Sequence, residues 1–299
     1  MSAVRSLISL VLLTLAAITV LLGVTAQWLD RLARTPEPAQ AIVEPVAKDP
    51  VVIEAVADEM VNLARQQLPS SVDSLPELRP QIEKLLGTAA SRALADPGVD
   101  QAWRDSFDTT RTTLVADLDR YREDKSVTPT VWLDLEPFVD LGKAKLTEEA
   151  GPRLRPYLEN LEWAADTRVP LGTPSAGQAQ LASEALGLAR VWVWFYVAAG
   201  VLALLGLVVG SRKGRWIAWI LASMFGLVAV VAARVGLGMV DVASSSSIRT
   251  AVTGSVAEGL AASLLEWTAL LPWLFAGAAA LGVVGLAVAA MTDTRERRV

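Results

Sequence analysis

Acidic side chains are the first candidates for chemistry in this 299-residue sequence, because several of them stand close together. Two carboxyl groups about 5–10 Å apart across a cleft can hydrolyse a glycosidic bond. Groups one or two positions apart on a helix point away from each other, so these pairs predict a solvated acidic surface. The sequence also has no DxDxDG loop for calcium. The pairs are Asp117 and Asp119, Asp134 and Glu136, and Glu148 and Glu149.

Two residue types that carry much of enzyme chemistry are missing, since the sequence contains no cysteine and no histidine. This excludes disulfides, thiolate nucleophiles, Cys/His zinc sites and Ser-His-Asp triads. A Ser/Lys pair exists only as Ser211 and Lys213, in a basic turn where both are more simply topology signals. Phosphate loops of the Walker or Rossmann type are absent. We therefore expect no catalytic residue, no cofactor or metal site, and a protein that is not an enzyme.

Long apolar segments decide the architecture, in a chain that is 53% hydrophobic. Crossing a bilayer takes about 20 mostly apolar residues. Each crossing segment must be helical, because hydrocarbon offers the backbone no other hydrogen-bond partner. The sequence therefore predicts an all-α membrane protein with four transmembrane helices and a mostly helical extracytoplasmic domain between the first two. The predicted spans are 7–27, 189–210, 216–240 and 267–291.

Basic residues beside the spans predict the orientation, since cytoplasmic flanks are enriched in Lys and Arg. Arg5 precedes the first span, Arg212, Lys213 and Arg215 fill the 211–215 turn, and Arg295, Arg297 and Arg298 close the tail. An even number of spans puts these groups on one side. We expect a multi-pass protein of the cell membrane with residues 1–6, 211–215 and 292–299 in the cytoplasm. Residues 28–188 and 241–266 then lie outside.

The first span has an alternative interpretation as a cleaved signal peptide, because Val24-Thr25-Ala26 resembles a small-residue cleavage site. Apolar regions of signal peptides are usually about 7–15 residues long. The apolar segment here runs without interruption from Leu7 to Val24, which favours a retained anchor.

The segment between the first two spans is acidic and rich in proline. Residues 28–189 hold 27 acidic and 17 basic residues, a net charge of −10, which excludes nucleic acid as a natural partner. Fourteen of the 15 prolines also lie there and divide it into pieces. Residues 31–50 have the composition of an extended, proline-broken linker.

Helix signals follow this linker. Asp49-Pro50 and Asp96-Pro97 each pair a capping aspartate with a proline at the first helical position, and another helix follows Pro80. Alternating apolar residues over 127–137 predict a short strand or extended segment. A turn is expected further along the chain, at 168–175. From Ser175 one continuous helix is expected to lead into the second span. The predicted helices end near Leu68, Leu94 and Arg122, and two more cover about 138–149 and Pro152 to Ala165.

The second outer segment, 244–266, predicts an amphipathic helix because apolar residues recur there at every fourth position. Arg249 and Glu258 are the charges on its other face, too weakly basic for electrostatic binding to anionic lipid. We therefore expect the outer domain or the span ends to hold it. The apolar residues are Ile248, Val252, Val256, Leu260 and Leu264.

The spans offer two further features. Arg234 is the only charge away from the first residues of a predicted span, which makes it a functional candidate. It lies about 27 Å along the helix from Trp216, at the outer interface, where it can snorkel or pair with Asp241. Small residues make a GxxxG of Gly206 and Gly210 and a face of Ala278, Gly282, Gly285 and Ala289. These predict helix packing inside the bundle, with oligomerisation as the alternative.

Several stretches resemble a group of uncharacterised actinobacterial integral membrane proteins with one span, a helical extracytoplasmic domain and three further spans. The stretches are DPVVIEAVADEMVNLARQQL, DPGVDQAWRDSFDTTRTTLVADL, VWLDLEPFVDLGKAKL and VPLGTPSAGQAQLASEALGLARVW. The resemblance covers most of residues 1–240 and implies location and topology, without an activity. Members often carry a histidine where this chain has Thr109-Thr110-Arg111, and its absence speaks against a catalytic role there.

Two classes of function follow. The first is a non-enzymatic envelope protein whose outer helical domain binds another protein or an envelope component. The second is an accessory subunit of a membrane transport or lipid-export system. Charges or a hydrophilic groove within the spans would favour the second, and the spans show no central Asp, Glu or Lys. The first class is therefore favoured, with the lipid bilayer and an envelope protein as partners.

Overall fold

A computed structural model describes residues 2–66, 79–149, 167–238 and 248–296 of the chain. About 85% of these residues are helical. Four stretches are long and apolar enough to cross a membrane, which indicates a multi-pass membrane protein: Ala3–Arg34, Trp192–Val209, Gly214–Leu237 and Val252–Met291. The chain divides into two compact units. The membrane unit comprises Met1–Arg31, Glu184–Asp241 and Ala261–Val299, and the helical unit comprises Leu32–Ser183 and Val242–Leu260.

Apolar helices build the membrane unit. In chain order these are α1 (Ser2–Arg34), α8 (Trp192–Val209), α9 (Gly214–Gly238) and α11 (Leu271–Glu296). Their bounds agree with the predicted spans to within a few residues, except that α1 extends well beyond 7–27. All are helical because a backbone in hydrocarbon must satisfy its own hydrogen bonds.

One connection to the membrane helices differs from the sequence prediction. Helix α7 (Ala176–Ala189) ends before α8 begins, so the prediction of one continuous helix from Ser175 is wrong. The Val191 N–H reaches the Leu188 carbonyl and the Trp194 N–H reaches the Val191 carbonyl, so the chain tightens into i→i+3 turns there. The helix of the second outer segment, α10 (Ile248–Trp267), is separated from α11 by a turn at 268–270, because Pro272 has no N–H to continue the helix.

In the described part of the chain, the helical unit is formed by helices of 12 to 25 residues and one pair of strands. Its elements in chain order are α2 (Pro36–Ala47), α3 (Pro50–Gln66), α4 (Arg79–Leu94), α5 (Val99–Glu123), β1 (Val131–Asp134), α6 (Glu136–Glu149) and β2 (Arg168–Gly172). The first part of α7 and the Val242–Leu260 portion, which includes most of α10, complete it. The helix predicted over Pro152 to Ala165 lies outside the described residues.

The prediction of an extended linker over residues 31–50 is wrong, because α2 occupies most of it. Pro36 stands at the start of α2 after Thr35, where an N–H would have no helical acceptor. Pro45 lies within the last turn of this short helix, so it removes only one helical hydrogen bond. The helix is held by burial of the apolar face made of Ile42, Val43 and Val46.

The prediction of a turn at 168–175 is wrong for residues 168–172, because these residues form β2. This strand pairs antiparallel with β1, with Leu133 opposite Val169 and Asp134 opposite Arg168. Pro170 is tolerated because a two-stranded sheet has only edge strands. The predicted alternation in β1 is confirmed, since Leu133 and Leu135 are fully buried.

The core of the helical unit surrounds Trp103. Its indole stacks on Phe107 with ring centroids 5.5 Å apart and meets the edge of Phe138 at 4.7 Å. Val52 and Val56 of α3 are completely buried in the same cluster, at the four-residue spacing of one helix face. Val252 of α10 joins them at 1% exposure. The segment after the third span is therefore a helix, as predicted, and it contributes to the core of the helical unit.

The two predicted Asp-Pro helix starts behave differently. Asp49 caps α3 as expected, because its Oδ1 accepts the Val51 N–H at 2.9 Å and Pro50 is the first helical residue. Asp96 instead accepts the Gly98 N–H at 2.7 Å, and α5 begins only at Val99. Asp96-Pro97 therefore forms a turn before the helix rather than its first residues.

Candidate functional site

Arg234, the charge inside the third apolar stretch, binds the end of a helix. Its Nη1 donates to the Leu265 carbonyl oxygen at 2.7 Å and lies 3.4 Å from Thr268 Oγ1. The last carbonyls of α10 have no helical donor and carry the negative end of the helix dipole, so a guanidinium is stabilising there. Asp241, its expected ion-pair partner, lies outside the described residues. The geometry supports a structural role for Arg234.

Two other arginines bind helix ends in the same way. Arg5 Nε donates to the carbonyl of Val209, the last residue of α8, at 3.1 Å. Arg111 donates to the carbonyl of Ala33, near the end of α1, and pairs with Asp108 at 2.5 Å. The neighbouring Thr110 hydroxyl donates to the Ser106 carbonyl at 2.8 Å. Thr110 and Arg111 are therefore used for packing and capping.

The two acidic pairs whose side chains the structure describes make local contacts. Asp117 pairs with Arg120 at 3.3 Å and Asp119 with Arg122 at 3.7 Å, each within its own helical turn. Asp134 Oδ1 accepts the Glu136 N–H at 3.0 Å at the start of α6. The side chains of Glu148 and Glu149 lie outside the described set. Among the described residues no group of three or more acidic side chains could hold a metal ion.

The small residues of the spans make close helix contacts, as predicted for packing inside one bundle. A Cβ built on Gly206 would lie 2.8 Å from Leu13 Cγ, so α8 and α1 touch there. The buried Ser9 hydroxyl donates to the Gly206 carbonyl at 2.7 Å in the same contact. On α11, Gly285 lies against the Trp216 ring of α9, and Ala278 accepts a hydrogen bond from Trp219 Nε1 at 2.7 Å.

The basic turn between α8 and α9 is tied to the start of α1. Ser6 and Ser211 share a hydroxyl hydrogen bond of 2.9 Å, and Ser211 Oγ accepts the Gly214 N–H at 3.2 Å. Ser211 therefore caps the beginning of α9, which replaces any catalytic interpretation of Ser211 and Lys213 with a structural one. Arg5 and the three basic residues of the turn together provide four cations: Arg5, Arg212, Lys213 and Arg215.

Aromatic side chains cluster at the other end of the apolar helices. Trp267 Nε1 donates to the Val24 carbonyl at 3.2 Å, and the Arg31 guanidinium lies 5.1 Å from the Trp267 ring centroid. Trp28 Nε1 donates to Ser263 Oγ at 3.2 Å, and the Tyr196 hydroxyl donates to Gln27 Oε1 at 2.9 Å. Rings with one polar edge are typical of a membrane interface.

A polar groove on the helical unit is the first candidate binding site. It lies between α2 and α5, has a volume of about 400 Å³ and reaches Trp103 at its base. Its charged residues are Glu44 and Lys48 of the α2 end and Asp100 and Arg104 of α5. The two positive and two negative charges of the groove sum to zero, whereas residues 28–189 as a whole are acidic.

The charges of the groove act on one another. Lys48 Nζ lies 2.7 Å from Glu44 Oε1, and this hydrogen bond lowers the pKa of Glu44, with the nearby charge of Arg104 as a weaker cause. The same bond raises the pKa of Lys48, and Asp100 adds to the effect. All four residues are exposed, so the groove presents charges of both signs at the surface of the unit. Sequence analysis missed this site because it treated α2 as linker, although Glu44 and Lys48 stand at helical i,i+4 spacing.

An apolar cavity in the membrane unit is the second candidate site. It is partly open, has a volume of about 250 Å³ and lies among α1, α8, α9 and α11. The sequence carried no signal for it, since the space arises where small residues of three helices face one another. Those residues are Ala16, Ala17, Ala199, Gly200, Ala203 and Ala222.

Comparison with known proteins gives no relative to place beside these two sites. No protein-family profile, no curated protein sequence and no solved structure matches this chain.

Proposed function

We propose that this chain is a non-enzymatic integral membrane protein of the cell envelope whose helical unit lies outside the cell membrane and binds another envelope protein. The positions of Arg5, the 211–215 turn and the tail support this orientation through the enrichment of basic residues on the cytoplasmic side. The resemblance to actinobacterial membrane proteins of the same layout supports it as well. The groove between α2 and α5 is the observation that supports binding of a partner protein.

The chemistry of the groove favours a protein as its occupant. The two carboxylates and two cations can be matched by a folded partner that offers charges of both signs, which gives specificity. Nucleic acid or an anionic lipid surface would instead require an excess of Lys and Arg. Trp103 lines the groove and is itself packed against Phe107 and Phe138, which supports a preformed apolar base beneath the charged residues.

Site-specific photocrosslinking in native membranes tests this proposal. A photoreactive side chain at Gln40, which lines the groove, should give a discrete crosslinked product with one protein. The same probe at Leu181, which is 71% exposed in the helical unit and outside the groove, is the positional control and should give none.

Charge reversal then separates specific binding from proximity. Arg104→Glu removes a groove cation and should abolish the Gln40 product. Arg120→Glu is the matched control, because Arg120 is 63% exposed on the same helix and does not line the groove. A Gln40 product that survives Arg104→Glu unchanged, or no product at all, would overturn the proposed role of the groove.

The second candidate function is an accessory subunit of a membrane transport or lipid-export system. The apolar cavity among the membrane helices favours it, because such a space can take part of a lipid. Absence of the Gln40 product, together with labelling of the cavity by a photoreactive lipid, would favour this function.

A further inference from the structure

The apolar cavity of the membrane unit lies at a depth that only hydrocarbon reaches. On α1 it extends from Leu13 to Val20, about 12 to 22 Å along the helix from Arg5. The hydrocarbon core of a bilayer is about 30 Å thick, so the cavity occupies its central part. A space at this depth that opens to the surface of the unit is filled from the surrounding lipid.

The lining of the cavity is mostly apolar, and Ser223 is its one small polar residue. Small apolar side chains form most of it, and its two large polar side chains already use their polar atoms. Tyr196 donates to Gln27 Oε1 at 2.9 Å, and Trp219 Nε1 donates to the Ala278 carbonyl at 2.7 Å. A hydrocarbon chain gains contacts here at no cost in unsatisfied hydrogen bonds, whereas a polar ligand would lose its own.

Positive charge stands at the membrane surface beneath the cavity. Arg5 is joined to the end of α8 by its 3.1 Å bond to the Val209 carbonyl, and Arg212, Lys213 and Arg215 follow directly. On α9 the cavity begins at Trp219, one helical turn or about 6 Å beyond Arg215. Clusters of Lys and Arg beside membrane helices attract anionic lipid headgroups. The basic residues and the cavity are therefore placed to bind the headgroup and one acyl chain of the same lipid molecule.

We propose that the membrane unit binds an anionic phospholipid, with its phosphate at the basic turn of Arg5, Arg212, Lys213 and Arg215 and one acyl chain in the apolar cavity. This site is separate from the groove of the helical unit and does not depend on the orientation of the chain.

Two glycines provide a matched pair of variants. Gly200 lines the cavity, and a Cβ built on it meets no atom within 4 Å, so Gly200→Leu places its side chain in open space. Gly277 of α11 is equally open and does not line the cavity. Gly277→Leu is therefore the control for adding the same side chain to a membrane helix.

The experiment uses the full chain in phosphatidylcholine vesicles that contain phosphatidylglycerol with a diazirine in the middle of one acyl chain. After illumination, mass spectrometry compares labelling at Ala17 and Ala222 in the cavity with labelling at Val284, which is 60% exposed on α11. We expect preferential labelling of the cavity residues in the unmutated protein and in Gly277→Leu. Gly200→Leu should abolish this preference and leave Val284 labelled.

The headgroup is tested with the same probe chain on phosphatidylcholine. Phosphatidylglycerol should label the cavity several-fold more strongly, and the combined variant Arg5→Gln, Arg212→Gln and Lys213→Gln should remove that difference. Equal labelling by the two lipids would overturn the anionic headgroup. Cavity labelling that Gly200→Leu leaves unchanged, or crosslinks between two copies of the chain in place of lipid labelling, would overturn the acyl-chain site.

Discussion

Arg234 Nη1 donates a 2.7 Å hydrogen bond to the carbonyl oxygen of Leu265, at the end of α10. A half-buried cation at a helix C-terminus contributes about 0.3–2 kcal/mol. Arg234→Met should therefore loosen the last turn of α10, whereas Arg234→Lys should keep most of the effect because it retains the charge. Hydrogen exchange of residues 264–267 measures this. Unchanged exchange in Arg234→Met would show that the bond does not hold the helix end.

The docking of α10 gives a second prediction. A fragment of residues 46–170 lacks most of α2 and the buried Leu171 and Val252. That fragment should not melt cooperatively. Residues 32–183 joined by a glycine-serine linker to residues 244–260 should be soluble, helical by circular dichroism and cooperative, because the core is then complete.

Within that linked fragment Val252→Asp should be the most damaging substitution of α10, since Val252 is 1% exposed. Val256→Asp should act in the same direction more weakly, because Val256 is only partly buried beside the core. In the full protein, both should speed hydrogen exchange over residues 248–264. Fast exchange there without any substitution would mean that the helix is not docked.

Trp103 supplies the third prediction. Its indole is 2% exposed and contacts two aromatic rings, so Trp103→Ala should lower the free energy of unfolding of the linked fragment by about 3–5 kcal/mol. Leu181→Ala is the control, since Leu181 is 71% exposed. Urea denaturation compares the two. A loss below about 1 kcal/mol for Trp103→Ala would contradict its place in the core.

The ion pair of Asp96 with Lys145 predicts a dependence on pH. The Lys145 ammonium lies 2.9 Å from Asp96 Oδ2, and its hydrogen bond lowers the pKa of Asp96 below the ordinary 3.8, with the Gly98 N–H as the second cause. Because the folded pKa is the lower one, this stabilisation is present above pH 3.8 and is lost as pH falls through the folded pKa.

Asp96→Asn should therefore lower the urea midpoint of the linked fragment at neutral pH, and the difference from the unmutated fragment should shrink in acid below the folded pKa. The exposed Asp105 on α5 offers a control, as Asp105→Asn keeps the helix and leaves the ion pair intact. A difference between Asp96→Asn and the unmutated fragment that stays constant down to the most acidic pH would contradict the assignment.

The apolar helices could be read from the sequence because length and composition alone decide them in a bilayer. Helix α2 could not, since Pro36, Pro38 and Pro45 hide a helix whose formation depends on burial of Ile42, Val43 and Val46. Strand β2 was missed for a similar reason: Pro170 signals a turn, and only pairing with β1 makes a strand of it.

The candidate sites depend still more on tertiary structure. The sequence marked Arg234 as a charge in an apolar stretch, but its acceptor, the Leu265 carbonyl, exists only because α10 ends there. The groove requires Glu44 and Arg104, 60 residues apart, to face each other, and no local pattern indicates that. The cavity arises from what the small side chains leave unfilled, which a count of alanines cannot show.

The location of the helical unit outside the cell membrane is the claim on which the proposed function depends, and reporter fusions test it most directly. A reporter that is active only outside the cytoplasm should be active when fused after residue 100 or residue 250 and inactive after residue 213. A cytoplasmic reporter should give the reverse pattern at the same three positions. Activity of the cytoplasmic reporter after residue 100 would contradict the orientation and, with it, the proposed role of the helical unit in the envelope.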